Sequence, residues 1–150
     1  MAIERLDRFF RRHNKVAFDT SVFIYQLEND PKYRPLTHSI FSWLETPGHA
    51  AITSTITMAE LLVKPYREKD EREVDKCFAL FSRFPNLEWV APNLDVGDAA
   101  ARIRAEWRLK TPDAIEAATA IYCGISGFLT NDPIYRRVSE LDTLILDDLL

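Results

Sequence analysis

Apolar residues along the chain recur in two rhythms, and the alternation between them predicts the fold. From Met1 to His13, Ile3, Leu6, Phe9 and Phe10 stand three or four residues apart among Glu4, Asp7, Arg8, Arg11 and Arg12. That is the period of an amphipathic helix. Lys15-Val16-Ala17-Phe18 reads as a short buried strand. Asp19-Thr20-Ser21 then offers cap residues to a helix carrying Val22, Phe23, Ile24 and Leu27. Pro31 and Pro35 read as breaks, before a helix with Ile40, Phe41 and Leu44 that Pro47-Gly48 closes. Ala50 to Thr53 is a second strand, entering a helix from Thr55 to Lys64 that Pro65 ends or kinks. Glu68 to Phe84 carries Val74, Cys77, Phe78 and Phe81 at helical spacing. Leu87 to Val90 is a third strand, followed by helices over Asp95–Leu109 and Pro112–Tyr122. Phe128-Leu129-Thr130 is a fourth strand, Pro133–Val138 a short helix and Thr143–Leu146 a last strand.

Short apolar strands without period-two polarity, alternating with helices, predict a parallel sheet covered on both faces. The expected fold is a three-layer α/β/α sandwich. No repeat or Gly/Ser-rich linker divides the chain, so residues 1–150 are read as one domain, with residues 1–14 as an extra N-terminal helix. In such sheets ligands gather at the carboxyl ends of the strands, which makes the residues just after each strand the first candidates for chemistry.

Composition narrows the class. Of the 150 residues, 47% are hydrophobic and 28% charged, which excludes a disordered or fibrous chain. Cys77 and Cys123 form no C-x-x-C pair and are too few for a disulfide scaffold, so a reducing setting is expected. No apolar run approaches the roughly 20 residues of a membrane span, and the first helix lacks the apolar core of a signal peptide. A soluble cytoplasmic protein with no membrane partner is the expectation. The net charge of -4 counts against a protein that merely coats nucleic acid, but not against an enzyme whose acids form its site.

Missing motifs narrow it further. There is no G-x-G-x-x-G and no G-x-x-x-x-G-K-[ST], and Gly124-Ile125-Ser126-Gly127 lacks the spacing of a nucleophile elbow. His13, His38 and His49 have no partner at metal-ligand spacing and read as surface or packing residues. What remains is chemistry on oxygen ligands.

Four carboxylates stand where such chemistry would need them. Asp19 follows the first strand, Asp132 follows the fourth, and Asp113 lies in the opening turn of its helix after Thr111-Pro112. Glu60 is embedded in the largely apolar run Ile56 to Val63. Singly, each aspartate reads as a helix cap worth about 0.5–2 kcal/mol, and Glu60 as an exposed residue on a polar stripe. Together they read differently, because a parallel sheet brings Asp19 and Asp132 to one edge. Two carboxylates about 6 Å apart repel by about 3 kcal/mol at an effective dielectric near 20. A cluster of four therefore calls for a cation, and Mg²⁺ or Mn²⁺ suits oxygen ligands and polarises phosphates.

In order, Phe18-Asp19-Thr20-Ser21-Val22-Phe23-Ile24-Tyr25, Met58-Ala59-Glu60-Leu61-Leu62, Pro112-Asp113-Ala114-Ile115-Glu116-Ala117-Ala118-Thr119-Ala120 and Leu129-Thr130-Asn131-Asp132 resemble the motifs of PIN-domain ribonucleases. The type they resemble most is the virulence-associated protein C (VapC) toxin of bacterial toxin–antitoxin pairs, with the match running from Val16 to the C-terminus. The resemblance implies a Mg²⁺- or Mn²⁺-dependent endoribonuclease with Asp19, Glu60, Asp113 and Asp132 as catalytic carboxylates and Asp19, Asp113 and Asp132 as metal ligands. It also implies Ser21 and Thr130 in support beside the metal, an RNA substrate, a cognate antitoxin and a homodimer. Where many relatives carry a second acid after the T-N-D run, this chain has Ile134. Glu116, one turn after Asp113, reads first as an exposed helix glutamate and second as a supplement to the cluster.

Arg102, Arg104, Arg108 and Lys110 before Asp113, and Lys64, Arg67 and Lys69 after Glu60, are candidates for holding phosphate or simply solvated faces. Trp43, Trp89 and Trp107 read as core or interface residues. The competing reading is a catalytically inactive PIN-like module that binds RNA or protein. A phospho-acceptor receiver or an Asp-nucleophile phosphatase fits worse: position 21 is Ser, and the last strand has no lysine.

Overall fold

A computed structural model describes residues 2–150. Five strands, β1 (Lys15–Phe18), β2 (Ala50–Ser54), β3 (Leu87–Val90), β4 (Gly127–Thr130) and β5 (Asp142–Ile145), form one sheet in the order β3-β2-β1-β4-β5, and every pairing is parallel. Among the described residues seven α-helices surround it: α1 (Ala2–Arg12), α2 (Thr20–Glu28), α3 (Arg34–Glu45), α4 (Thr55–Arg67), α5 (Glu71–Arg83), α6 (Leu94–Trp107) and α7 (Thr111–Tyr122). The expected α/β/α sandwich with a parallel sheet is the fold observed.

Successive strand residues serve opposite cores, as the pleat requires. Val16 and Phe18 of β1, Ala51 of β2 and Leu129 of β4 pack with the α1–α5 layer, around Phe9, Phe23, Ile40, Phe41 and Leu44. Ala17, Ile52 and Phe128 face the other way, toward Val96, Ile103, Ala114, Ala117 and Tyr135. The central strands are thus buried on both sides, which explains their uninterrupted apolar character. Trp43 and Trp89 are half-buried against the first core, with Trp43 stacked on Phe10 at 4.0 Å, while Trp107 packs on the second.

The strand order reverses at β1. From β1 the chain moves outward to β2 and β3, then returns to place β4 on the other side of β1. The connections leaving the carboxyl ends of β1 and β4 therefore diverge, and a crevice opens between them. Asp19 and Asp132 sit on these two connections.

The structure corrects several sequence expectations. Pro35 does not break the chain but lies in the first turn of α3, where its missing N–H leaves no bond unmade. Pro65 does not stop α4 at Lys64; it lies within the last turn, which continues to Arg67. The next helix starts at Glu71 rather than Glu68, because Asp70 accepts from the Glu73 N–H and caps it. Phe78 lies on the exposed side of α5. Helix α6 ends at Trp107 because Arg108 turns left-handed, at φ 59°. Leu146 opens a terminal 3-10 turn, Leu146–Leu149, rather than ending β5.

The first helix is fastened to the C-terminal end. Arg12 and His13 both hold the Asp142 carboxylate, at 3.1 and 2.6 Å, and Arg5 donates to the Asp148 carbonyl. Gly127 lies against His13, so close that a Cβ there would stand 2.7 Å from the ring. His13 thus has a carboxylate partner that its sequence neighbours do not reveal.

Candidate acidic site

Asp19 is the N-cap of α2 and only 5% exposed. Its backbone N–H continues the β1–β4 ladder to the Leu129 carbonyl at 3.1 Å, so the residue is still held by the sheet. Both carboxylate oxygens are held. Oδ1 accepts from the Ser21 N–H at 2.9 Å and the Ser21 hydroxyl at 2.5 Å, and Oδ2 accepts from the Thr130 hydroxyl at 2.6 Å. Burial nevertheless raises its pKa to about 6; the hydrogen bonds from Ser21 and Thr130 oppose this, and the charge of Asp113 adds to it.

Thr130 joins this arrangement to Asp132. Fully buried at the end of β4, it accepts from the Asp132 N–H at 3.0 Å while donating to Asp19. Asp132 is exposed and caps the 3-10 turn Pro133–Arg137 by accepting from the Ile134 N–H at 3.0 Å. Asp19 and Asp132 are therefore caps, as each reads singly, and they also share one threonine. Between them Asn131 donates its N–H to Ser21 Oγ at 2.9 Å and its amide to the Tyr25 hydroxyl at 2.8 Å. Its Oδ1 accepts from the Asp147 N–H at 2.7 Å, which ties the C-terminal turn to the crevice.

Asp113 stands in the first turn of α7, half-buried. Lys110 is the N-cap of that helix, and Thr111 is its first residue. The Tyr135 hydroxyl donates to Asp113 Oδ1 at 3.3 Å. Burial raises the Asp113 pKa and the charge of Asp132 adds to it, against the Tyr135 hydrogen bond and Lys110. Tyr135 is itself pushed up by burial and by Asp19, Asp113 and Glu116 together.

Glu60 is exposed, as it reads singly, and Oε1 accepts from the Thr20 hydroxyl at 2.7 Å. A groove of about 290 Å³ opens beside it, with Ile24, Leu27, Leu61 and Cys77 as apolar lining and Lys64 at its edge.

The largest correction concerns Glu116, which is not an exposed helix glutamate but 4% exposed. Oε1 lies 2.9 Å from the Thr57 hydroxyl, Thr57 lies 2.8 Å from Thr53, and Thr53 donates to the Phe18 carbonyl at 2.9 Å. With Thr53 committed to that carbonyl, the single Thr57 proton cannot serve both Thr53 and Glu116. The chain is complete when Glu116 carries a proton and donates it to Thr57. Burial raises its pKa well above the ordinary value, and Asp19, Glu60 and Asp113 add to the shift.

Asp19, Asp113, Asp132, Glu60 and Glu116 thus share one electrostatic field. Among the described residues none of the five forms an ion pair. The donors are all oxygen, which matches a small divalent cation. Among the described residues, however, no group of three His, Cys, Asp or Glu side chains is close enough to hold an ion by direct bonds alone. The residues fit a cation that keeps part of its water shell, as Mg²⁺ does.

Thr20, Thr57 and Tyr135 are absent from the site read in the sequence, and Glu116 enters it only as the second of two readings. The clue to Glu116 was present: Ala114, Ala117, Ala118 and Ala120 are all buried, and a helix this small-sided packs against its neighbours on most of its circumference. Of the basic candidates, Arg102 pairs with Asp98 and Arg104 donates to the Leu109 carbonyl, whereas the charge of Lys110 acts on Asp113.

Comparison with known proteins adds three findings. The family model described as PIN domain matches residues 16–141. A chain of VapBC2 from Rickettsia felis, solved bound to a DNA fragment from its promoter, superposes with a TM-score of 0.72 at 18% identity, covering 87% of this chain and 98% of that one. FitAcB from Neisseria gonorrhoeae gives 0.68 at 19%, covering 87% and 97%. VapC20 from Mycobacterium tuberculosis, described as a sarcin–ricin-loop-cleaving toxin, gives 0.65 at 17%, covering 82% and 94%. At these identities the likeness is one of fold. A comparison with curated protein sequences gives no match.

Proposed function

We propose that this chain, which belongs to the PIN domain family, is a divalent-cation-dependent endoribonuclease whose catalytic carboxylates are Asp19, Glu60, Asp113 and Asp132. The observation that carries the reading is a buried carboxylate, Asp19, held on both oxygens at the point where the strand order reverses. It lies in the field of Asp113 and forms no ion pair among the described residues. Keeping a charge there costs several kcal/mol unless a cation compensates it.

Asp19, Asp113 and Asp132 are the residues proposed to hold Mg²⁺ or Mn²⁺. When bound, such an ion offsets phosphate charge and makes water more acidic. The protein supplies the rest. Ser21 and Thr130 keep Asp19 in one rotamer, Thr130 sets the backbone of Asp132, and Tyr135 orients Asp113. Glu60, held at Oε1 by Thr20 and facing solvent, leaves Oε2 to take the proton of the attacking water. Oxygen adds to phosphorus, the bond to the leaving oxygen breaks, and that oxygen takes a proton from solvent. Lys110 and Lys64 flank Asp113 and Glu60 and are proposed to meet phosphates of the RNA strand.

The biological setting we propose is the toxin of a toxin–antitoxin pair, partnered by a cognate antitoxin protein in the cytoplasm. Support comes from the fold shared with VapBC complexes. A homodimer is proposed as well, on Val63 and Tyr66 of α4 and Leu94 of α6, apolar side chains left at the surface. No helix among the described residues is long and apolar enough to cross a membrane.

The test is cleavage of a defined single-stranded RNA by purified protein. Products are expected with Mn²⁺ or Mg²⁺, none in EDTA, and products again when the ion is restored. RNA binding without cleavage at any divalent ion would overturn the proposal in favour of an inactive binding module.

A further inference from the structure

Glu116 lies in α7 at a position that faces protein rather than solvent. Asp113 and Glu116 are one turn apart and so share a helix face. The alanines around Glu116 are buried and the residue is only 4% exposed, but Oε2 is not sealed away: among the described residues the one buried side-chain oxygen without a partner is Thr143 Oγ1. A carboxyl placed so deeply is costly unless bonded or compensated. The bonding is incomplete: Oε1 meets Thr57, and Oε2 makes no hydrogen bond among the described residues. The groups that act on it electrostatically are Asp19, Glu60 and Asp113, all of one sign.

A purely structural role would be served as well by glutamine, which could bond Thr57 and bring no charge. An acid in a field of acids is useful only when something positive enters that field. Thr57 holds one oxygen in place through its contact with Thr53, which is anchored to the β1 backbone. The glutamate is therefore kept in position with its second oxygen uncommitted, beside the carboxylates proposed above.

We infer that Glu116 is a fifth carboxylate of the cation site, positioned by Thr57 and contributing its free oxygen to the ion or to the ion's water shell. This rests on the cation-binding reading given under the proposed function.

Mn²⁺ binding, followed by calorimetry without RNA, tests it independently of activity. Glu116→Gln keeps the size and, through its amide N–H, a donor for Thr57, but removes the group that can ionise. Its Mn²⁺ dissociation constant is expected to rise about tenfold, with the thermal midpoint of the metal-free protein unchanged or raised. Asp113→Asn serves as the control. If the wild type binds no Mn²⁺, the cation reading itself fails. If the wild type binds, Asp113→Asn weakens binding and Glu116→Gln matches the wild type within twofold, the inference about Glu116 alone is overturned. Should Glu116→Gln not fold, wild-type protein labelled with ¹³C at the glutamate carboxyls gives the answer. Mg²⁺ is expected to move the Glu116 resonance and leave Glu140 in place; an unmoved Glu116 resonance overturns the inference.

Discussion

Asp113→Asn is expected to lower RNA cleavage by about a hundredfold or more, with the fold and the thermal midpoint retained. The substitution is nearly isosteric, and an amide oxygen still accepts from the Tyr135 hydroxyl, so the geometry at the start of α7 survives. What disappears is charge. The carboxylate is half-buried and already disfavoured by its burial and by Asp132, so its removal relieves repulsion in the metal-free protein. Lost activity should therefore come with equal or greater stability, opposite to the usual effect of a damaging mutation. Circular dichroism melting beside a gel assay of RNA products measures both. Cleavage within twofold of the wild type would remove Asp113 from the machinery.

A second large effect concerns pH. In EDTA the protein is expected to lose stability as pH rises from about 5 to about 7.5, when many proteins are near their optimum. Asp19 has a folded pKa of about 6 against an ordinary value of 3.8. A raised carboxyl favours the folded state fully below the ordinary value, and that contribution is lost as pH climbs through the folded value. The whole loss from Asp19 is about 3 kcal/mol, of which about 1 kcal/mol falls between pH 5 and 7.5. Glu116 and Asp113 push in the same direction. Asp142 and Asp147 have lowered values and act with the opposite sign, but their contribution is lost only as pH falls toward the ordinary carboxylate range. The midpoint is expected to drop by about 3–6 °C in scanning calorimetry, less in Asp19→Asn, and to recover when Mg²⁺ is added. A flat profile in EDTA would contradict the picture of buried, mutually repelling acids.

Much of this organisation was readable from residues alone. The strand boundaries at Phe18 and Thr130 follow from apolar runs ending in cap residues, and a parallel sheet then carries Asp19 and Asp132 to one edge. Local chemistry suffices for such positions because each cap serves its own turn. The misreadings have the opposite character. Pro35 and Pro65 look alike in sequence, and whether proline opens, breaks or rides the end of a helix depends on which carbonyls need its missing N–H. Glu116 looked exposed because helical spacing puts it beside Asp113, and only the packing of α7 against its neighbours shows that this face is interior. Thr53 and Thr57 carry no signal in the sequence, and Thr20 reads there only as one of three cap residues. Their hydroxyls acquire a role when β2, α2 and α4 meet, and nothing in their spacing encodes that meeting. Tyr135 likewise gains its role only from the meeting of two elements, which brings its hydroxyl to Asp113.

The most direct measurement is the anomalous difference map of crystals soaked in Mn²⁺ at neutral pH. A peak is expected in the crevice beyond β1 and β4, flanked by Asp19, Asp113 and Asp132 and lost in Asp113→Asn crystals. Mn²⁺ density only elsewhere on the surface, with the crevice empty at saturating ion, would contradict it.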